Sequence, residues 1–370
     1  MLFLSFGDAP SGVLSSQVFD VVKYCRTLTK QRIICLAFIS VRGYFKNRVI
    51  IKNQINDCWV VPMYPTIHLW RFNLLTLAVI CLLTKQRNII ARNAMAVNLA
   101  LAVKKTGLIK KIALDGRGAI AAEWNEYDVM PNKKLKSEIN EIEKTAVLQS
   151  DFRLAVSNPL VHYWHNRYGY NSKQHVIIPC TISFEKTFNN IDIAWPYHPH
   201  EIVLVYAGSV AGWQSFDLLK LFLNDVLTQT VNHQVLFLSK TNTSIETLKQ
   251  SFPNQVKHMW LPHEQVLQIL ERCDYGILIR EQTVTNEVAS PTKFAEYLSA
   301  GLDVLISEKL GDYTAFVQQN NCGIVWEPGS KTILLKSSVA QKNHNKILAQ
   351  QHFSKEAFKS DYMRLLEAMA

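Results

Sequence analysis

SPTKFAEYLSAGLDVLIS, Ser290 to Ser307, sets a proline, a lysine and a glutamate ahead of an apolar segment, breaks that segment at Gly301 and resumes with DVLIS. Pro291 suits the first turn of a helix, with Ser290 as the expected N-cap and Gly301 as the stop. A short helix followed at once by an apolar strand is one repeat of a sheet built from alternating strands and helices. Lys293 stands in the first turn, where its charge opposes the helix dipole unless an anion faces it; Glu296 follows on the same face. Amides at a helix start attract phosphate, and a carboxylate there can accept from the vicinal hydroxyls of a ribose. A capped helix with a solvated Lys293 and Glu296 satisfies the same pattern.

Outward from this stretch the alternation covers the whole chain. In the first half, MLFLSF, Arg32 to Ser40, Cys58 to Tyr64, Asn88 to Arg92 and the KIALDG run read as strands. Asn73 to Lys85, Ala94 to Gly107 and Lys133 to Ser150 read as helices, and FRLAVS followed by NPLVHYWHNRYG repeats strand and helix. The polar, proline-interrupted segment Asn189 to Glu201 marks a boundary near residues 182 to 200, after which EIVLVYAGS restarts the pattern. The expectation is an α/β chain of two Rossmann-like domains facing each other across a cleft. The first is residues 1–185, the second 200–352, and a C-terminal helix, 353–370, docks back through Phe353, Phe358, Tyr362, Leu365 and Leu366.

Composition fits this plan. The 370 residues, 48% of them hydrophobic, suffice for two cores and exclude global disorder. Seven scattered cysteines form no CxxC and no metal-ligand spacing with histidine, which predicts buried thiols in a reducing compartment. The N-terminus carries no basic region before its apolar start, so a first strand is expected there and not a secretory signal. Leu74 to Leu83 is the longest apolar run, flanked by Arg71 and Lys85. It is shorter than the roughly 20 residues that cross a bilayer, so a buried helix is expected. Residues 1–180 hold 24 Lys/Arg against 11 Asp/Glu, or +13, whereas 181–370 hold 16 against 19, or −3. A half that basic suits a polyanion or an anionic surface, and equally an ordinary solvated face.

Three further loops can bear chemistry. YAGSVAGWQ runs from a strand into Gly208 and Ser209, where a missing Cβ lets backbone approach a ligand; it is not GxGxxG. GDAPSGVLSSQ, with Gly12 at its centre, follows the first strand in the same way, and a tight turn without ligand accounts for it equally. LDGRGAIAAEW gathers Asp115, Arg117 and Glu123 at a strand end, within reach of Arg92. An arginine fork there suits a pyrophosphate or a carboxylate, while an Arg117–Asp115 salt bridge is the simpler account. GxSxG, HExxH and GxxxxGK are absent.

SPTKFAEYLSAG followed by DVLIS resembles the SPTKxxEYLAxGxPVI stretch of family 4 retaining glycosyltransferases, in their bacterial surface-polysaccharide branch. SGVLSSQV, ARN, DGRG, VYAGSVAGWQSFDLL and LPHEQVLQILERCDYGILIR support the resemblance in order along the chain. It implies a GT-B fold and transfer of a hexose, with retention, from a UDP- or GDP-sugar to a hydroxyl of a lipid-linked saccharide, in capsule or O-antigen assembly at the cytoplasmic face of the membrane. The implied donor set is Gly12, Gly208, Ser209, Arg280, Ser290, Pro291, Lys293 and Glu296, with Glu296 on the ribose. Arg117, Glu287 and Lys293 are the implied catalytic set, with no metal and no tightly bound cofactor. The first glutamate of the family's E-x7-E signature would fall at Val288, leaving Asn286, Glu287 and the backbone near Ala289 for the sugar. The proline after the helix-stopping glycine is also replaced, by Leu302. A nucleotide-sugar epimerase and a non-catalytic glycan-binding component are the alternatives.

Overall fold

A computed structural model of the chain describes residues 1–184 and 195–370. The chain forms two compact units: unit 1 is Met1–Ser183, Val288–Ser290 and Phe358–Ala370, and unit 2 is Phe184–Glu287 and Pro291–Ala357. The boundary expected near residues 182 to 200 overlaps residues 185–194, which lie outside the described residues.

Unit 1 has seven strands: β1 Leu2–Phe6, β2 Ile34–Ser40, β3 Trp59–Met63, β4 Asn88–Arg92, β5 Lys111–Gly116, β6 Phe152–Ala155 and β7 His175–Ile177. They pair in the order β3-β2-β1-β4-β5-β6-β7, with every pairing parallel. Among its described residues unit 2 has six, β8 Ile202–Ala207, β9 His233–Leu238, β10 Val256–Met259, β11 Tyr275–Leu278, β12 Asp303–Ser307 and β13 Gly323–Trp326. Their order is β10-β9-β8-β11-β12-β13, again all parallel. Continuous apolar runs such as LFLSF and HQVLFL are buried along their whole length, as strands covered on both faces must be. In each sheet the strand order reverses beside the first strand, between β1 and β4 and between β8 and β11. Open α/β sheets bind ligands outside the carboxyl ends of the strands at that reversal.

The C-terminal segment divides between the units. The helix Lys359–Ala368 buries Tyr362, Leu365 and Leu366 in the same core as Phe3, Val22 and Ile51 of unit 1. Phe353 instead ends the helix Val339–Phe353 and packs edge-on or tilted among the rings of Phe294, Tyr313 and Phe316 of unit 2. One helix over 353–370 was expected; the break falls between the two cores that its apolar residues serve.

The expectation of a buried helix at Leu74–Leu83 is overturned. The helix Asn73–Thr84 buries Leu77, Ile80 and Cys81, but Leu75, Val79, Leu82 and Leu83 face outward. A segment apolar all round carries no polar stripe to say which side meets water. All seven cysteines are buried and free.

Gly276 in β11 lies under the Tyr297 ring, and a Cβ there would sit 2.3 Å from ring carbons. Tyr297 is fully buried; its hydroxyl accepts from the Ala207 amide at 2.9 Å and so fastens the end of β8. Gly276→Ala is expected to lower stability by about 1–3 kcal/mol through overpacking, read as a lower urea midpoint with an unchanged slope.

Candidate functional site

In unit 2 the strand reversal brings together the ends of β8 and β11. β8 runs into Gly208, whose φ of +151° favours glycine, and β11 runs into Arg280. Lys293, from the first turn of the helix Thr292–Ser299, crosses to this point and lies directly on Gly208. A Cβ on Gly208 would stand 2.4 Å from Lys293 Cε and 2.7 Å from Nζ. The Lys293 ammonium donates to Gln214 Oε1 at 2.9 Å and sits 3.9 Å from the centre of the Tyr206 ring. Arg280 donates to the same Gln214 oxygen at 3.2 Å and, through its other terminal nitrogen, to Asn286 Oδ1 at 3.4 Å. Asn286 is held in turn by donating to the Glu281 carbonyl, and the Glu281 amide donates to Ser215 Oγ.

Two buried cations therefore meet on one amide oxygen. Burial, reinforced by the Arg280 charge, holds Lys293 well below the usual lysine range, against the opposing pull of the Glu296 carboxylate. An anion placed here would favour the charged form of Lys293 and add charge-assisted hydrogen bonds. Gln214 ends the YAGSVAGWQ loop singled out in the sequence, but no role was assigned to it there and its place at the centre of this cluster was not foreseen. Its only signal was its place two residues after Gly212 in the loop that follows β8.

Of the expected donor set, Gly208, Arg280, Lys293 and Glu296 lie together, Glu296 being half-buried on the same helix as Lys293. Ser209 follows Gly208, exposed, with its carbonyl accepting from Tyr206 Oη at 2.5 Å. Ser290 does not cap the helix. Pro291 takes the N-cap position, and buried Ser290 belongs to unit 1, where its Oγ accepts from the Cys180 amide at 2.7 Å. Pro291 accordingly precedes the first turn, where it was expected to lie. Gly301, at φ +87°, follows the helix end as expected. Glu287 is half-buried at the end of the short helix Val284–Glu287; Asn286, not Glu287, is the residue of that turn that meets Arg280. Val288 is buried in unit 1, its carbonyl accepting from Ser157 Oγ.

In unit 1 the strand ends at the reversal carry Asp8, Arg92 and Asp115. Asp115, fully buried, is flanked by Arg117 Nε at 2.6 Å and Arg92 at 3.7 Å, while Arg92 also meets Asp8 at 3.5 Å. Burial by itself works against the Arg117 charge, but the adjacent Asp115 carboxylate reverses the balance and raises it. The loop expected around Gly12 is helical from Gly12 onward, and Gln17, in the π-helical turn Ser15–Phe19, accepts from Arg117 at 3.4 Å and donates to the Thr181 carbonyl at 2.8 Å. Gly12 itself opens a single helical turn, its carbonyl accepting from Ser16 Oγ.

Beyond Arg117 the helix Ile120–Glu126 begins against a buried carboxylate. Glu143 accepts from the amides of Ile120 at 3.0 Å and Ala121 at 3.2 Å and from Tyr168 Oη at 2.8 Å. Burial pushes Glu143 up to about 7 despite these bonds, and burial alone pushes Glu123 up to about 7. A carboxyl raised in the folded chain binds more protons folded than unfolded. These groups therefore subtract stability as pH rises from the unfolded value of 4.5 toward 7. Thermal melts of the wild type and Glu143→Gln across that range are expected to show a flatter slope for the variant.

The sequence matches no family model and no curated relative. Solved structures do match, over essentially the whole chain. HepE of Anabaena, solved in complex with UDP, aligns at a TM-score of 0.70 with 11% identity over 99% of both chains. Sucrose-phosphate synthase of Thermosynechococcus elongatus aligns at 0.68 with 11% identity over 99% of this chain and 98% of that one. The fold is GT-B. UDP-GlcNAc 2-epimerase of Neisseria meningitidis, bound to UDP-GlcNAc, also aligns, at 0.55 with 11% identity over 98% of this chain and 93% of that one. At such identities the GT-B likeness fixes architecture and leaves chemistry to the residues.

Proposed function

We propose that the chain is a glycosyltransferase that moves a hexosyl group from a nucleoside-diphosphate sugar to a hydroxyl acceptor. The observation that carries this reading is the meeting of buried Lys293 and Arg280 on Gln214, beside Gly208, at the strand reversal of unit 2. As the glycosidic bond breaks, charge builds on the departing diphosphate while the sugar becomes oxocarbenium-like. Two preoriented cations in a dry site stabilise that charge without reorganising. They are proposed to suffice without a divalent metal. Glu296 is assigned to the ribose hydroxyls, with Ser209 and Pro291 lining the donor site. In place of the signature glutamate, which Val288 lacks, Asn286 and Glu287 are the candidates to face the sugar.

The HepE structures with UDP, and with UDP and glucose, favour UDP over GDP as the donor nucleotide. The likeness to family 4 extends the proposal to retention by same-face attack, in which the departing phosphate takes the acceptor proton. It also extends it to a lipid-linked saccharide acceptor met by unit 1, with Arg117 and Gly12 at its strand ends, and to a place in surface-polysaccharide assembly at the cytoplasmic membrane. The division into an acceptor domain, 1–185, and a donor domain, 200–352, belongs to the same proposal.

UDP, GDP and ADP, alone and as their sugars, are to be compared for thermal stabilisation of the chain, and any stabilising sugar then tested for hydrolysis. Stabilisation by one nucleoside diphosphate with slow release of free sugar is the expected result; no stabilisation by any of them overturns the assignment. The epimerase alignment keeps a second reading in view. It is favoured if the sugar of an intact UDP-sugar changes configuration without any acceptor.

A further inference from the structure

We propose that the outward face of the helix Asn73–Thr84 docks unit 1 on the surface of an anionic phospholipid bilayer. Phe72, Leu75, Val79, Leu82 and Leu83 recur at helical spacing and are exposed, Leu75 at 74% and Leu83 at 69%, and the stripe extends back to Leu69. Thr76 is the one polar residue among the exposed positions of this helix, and no charged residue stands between Asn73 and Thr84. A surface helix ordinarily turns charged and polar side chains outward, and a contiguous apolar stripe marks a face that something covers.

Charge identifies the cover. Residues 58–114 contain eight Lys/Arg and no Asp or Glu. Where the helix ends, the exposed cations Lys85, Arg87, Lys105 and Lys110 gather before β4 and β5. Arg87 ties the group together, its carbonyl accepting from the Lys110 amide at 2.6 Å and its guanidinium donating to the Gly107 carbonyl at 3.1 Å. The nearby acids are engaged elsewhere, Glu138 with Arg71 at 3.0 Å and Asp151 with Lys104 at 2.7 Å. Among the described residues none of the four cations forms an ion pair. An apolar stripe ending in cations matches the boundary between acyl chains and anionic headgroups. The opposite face of the helix is packed in unit 1, so it lies along the interface and does not cross it. A second copy of the chain would press this basic face against itself.

This inference deepens the membrane-side part of the proposed function, yet its test is independent of sugar transfer. Full-length protein is to be sedimented with phosphatidylcholine vesicles and with vesicles containing phosphatidylglycerol. Binding to the anionic vesicles only is expected. The triple variant Leu75→Gln, Val79→Gln, Leu82→Gln and the triple variant Lys85→Gln, Lys105→Gln, Lys110→Gln are each expected to weaken it about tenfold or more. For the second variant the residual binding should also lose most of its salt dependence. A wild type that stays in the supernatant, or variants that sediment like it, overturns the proposal. So does a solution dimer that the leucine variant dissociates without any vesicle binding, which assigns the face to a second copy. Thermal stabilisation by UDP, measured on the same samples, reports separately on unit 2.

Discussion

Lys293→Met is expected to weaken UDP binding about a hundredfold while leaving the free chain as stable as wild type or more so. Methionine keeps the unbranched stem that packs on Gly208 and removes only the ammonium, whose burial is a cost that folding bears without a ligand. Because the folded chain holds Lys293 below its ordinary pKa of 10.5, the unfolded chain binds the extra proton. Wild-type stability should therefore rise as pH climbs toward that value, and the variant should lack this component of the rise. Isothermal titration with UDP and pH-dependent melts check the two halves. A variant that binds UDP as wild type does removes Lys293 from the donor site; a variant that is less stable with unchanged pH dependence shows that the ammonium serves packing.

Asp115→Asn is expected to have the largest effect on stability, a loss of about 3–5 kcal/mol, because it strips the carboxylate from between two buried guanidinium groups. Arg92 retains Asp8 at 3.5 Å, but Asp115 is the carboxylate paired with Arg117. Double replacement with Arg117→Met should recover part of the loss, since no buried cation is then left without its counter-charge. Urea unfolding followed by tryptophan fluorescence measures both. A single variant within 1 kcal/mol of wild type, about the worth of an exposed pair, would mean that water reaches and solvates the cluster.

The sheets were legible because parallel strands bury both faces and so appear as unbroken apolar runs, as ICLAFIS and HQVLFL do. The helix Tyr44–Gln54 was not, since Ile51 is its one buried residue and no apolar stripe marks it. Ser290 obeyed a local capping rule that lost to a tertiary partner, the Cys180 amide 110 positions away. Lys293 was read correctly as a first-turn residue yet incorrectly as solvent-facing in the simpler account. Its direction is set by the bare backbone of Gly208, 85 positions earlier, which no local pattern reveals. Gln214 closes the YAGSVAGWQ loop without a recognisable role there: an amide oxygen becomes central only once two cations arrive from other elements.

The C-terminal helix has a consequence for how the molecule can be divided. Tyr362, Leu365 and Leu366 complete a core whose other members come almost entirely from residues 1–183, so unit 1 is closed by a segment that follows all of unit 2 in sequence. Expressing residues 1–183 alone would leave a trough along β6 and β7 where that helix belongs, so cutting the chain at the unit boundary exposes the apolar flank of the first sheet.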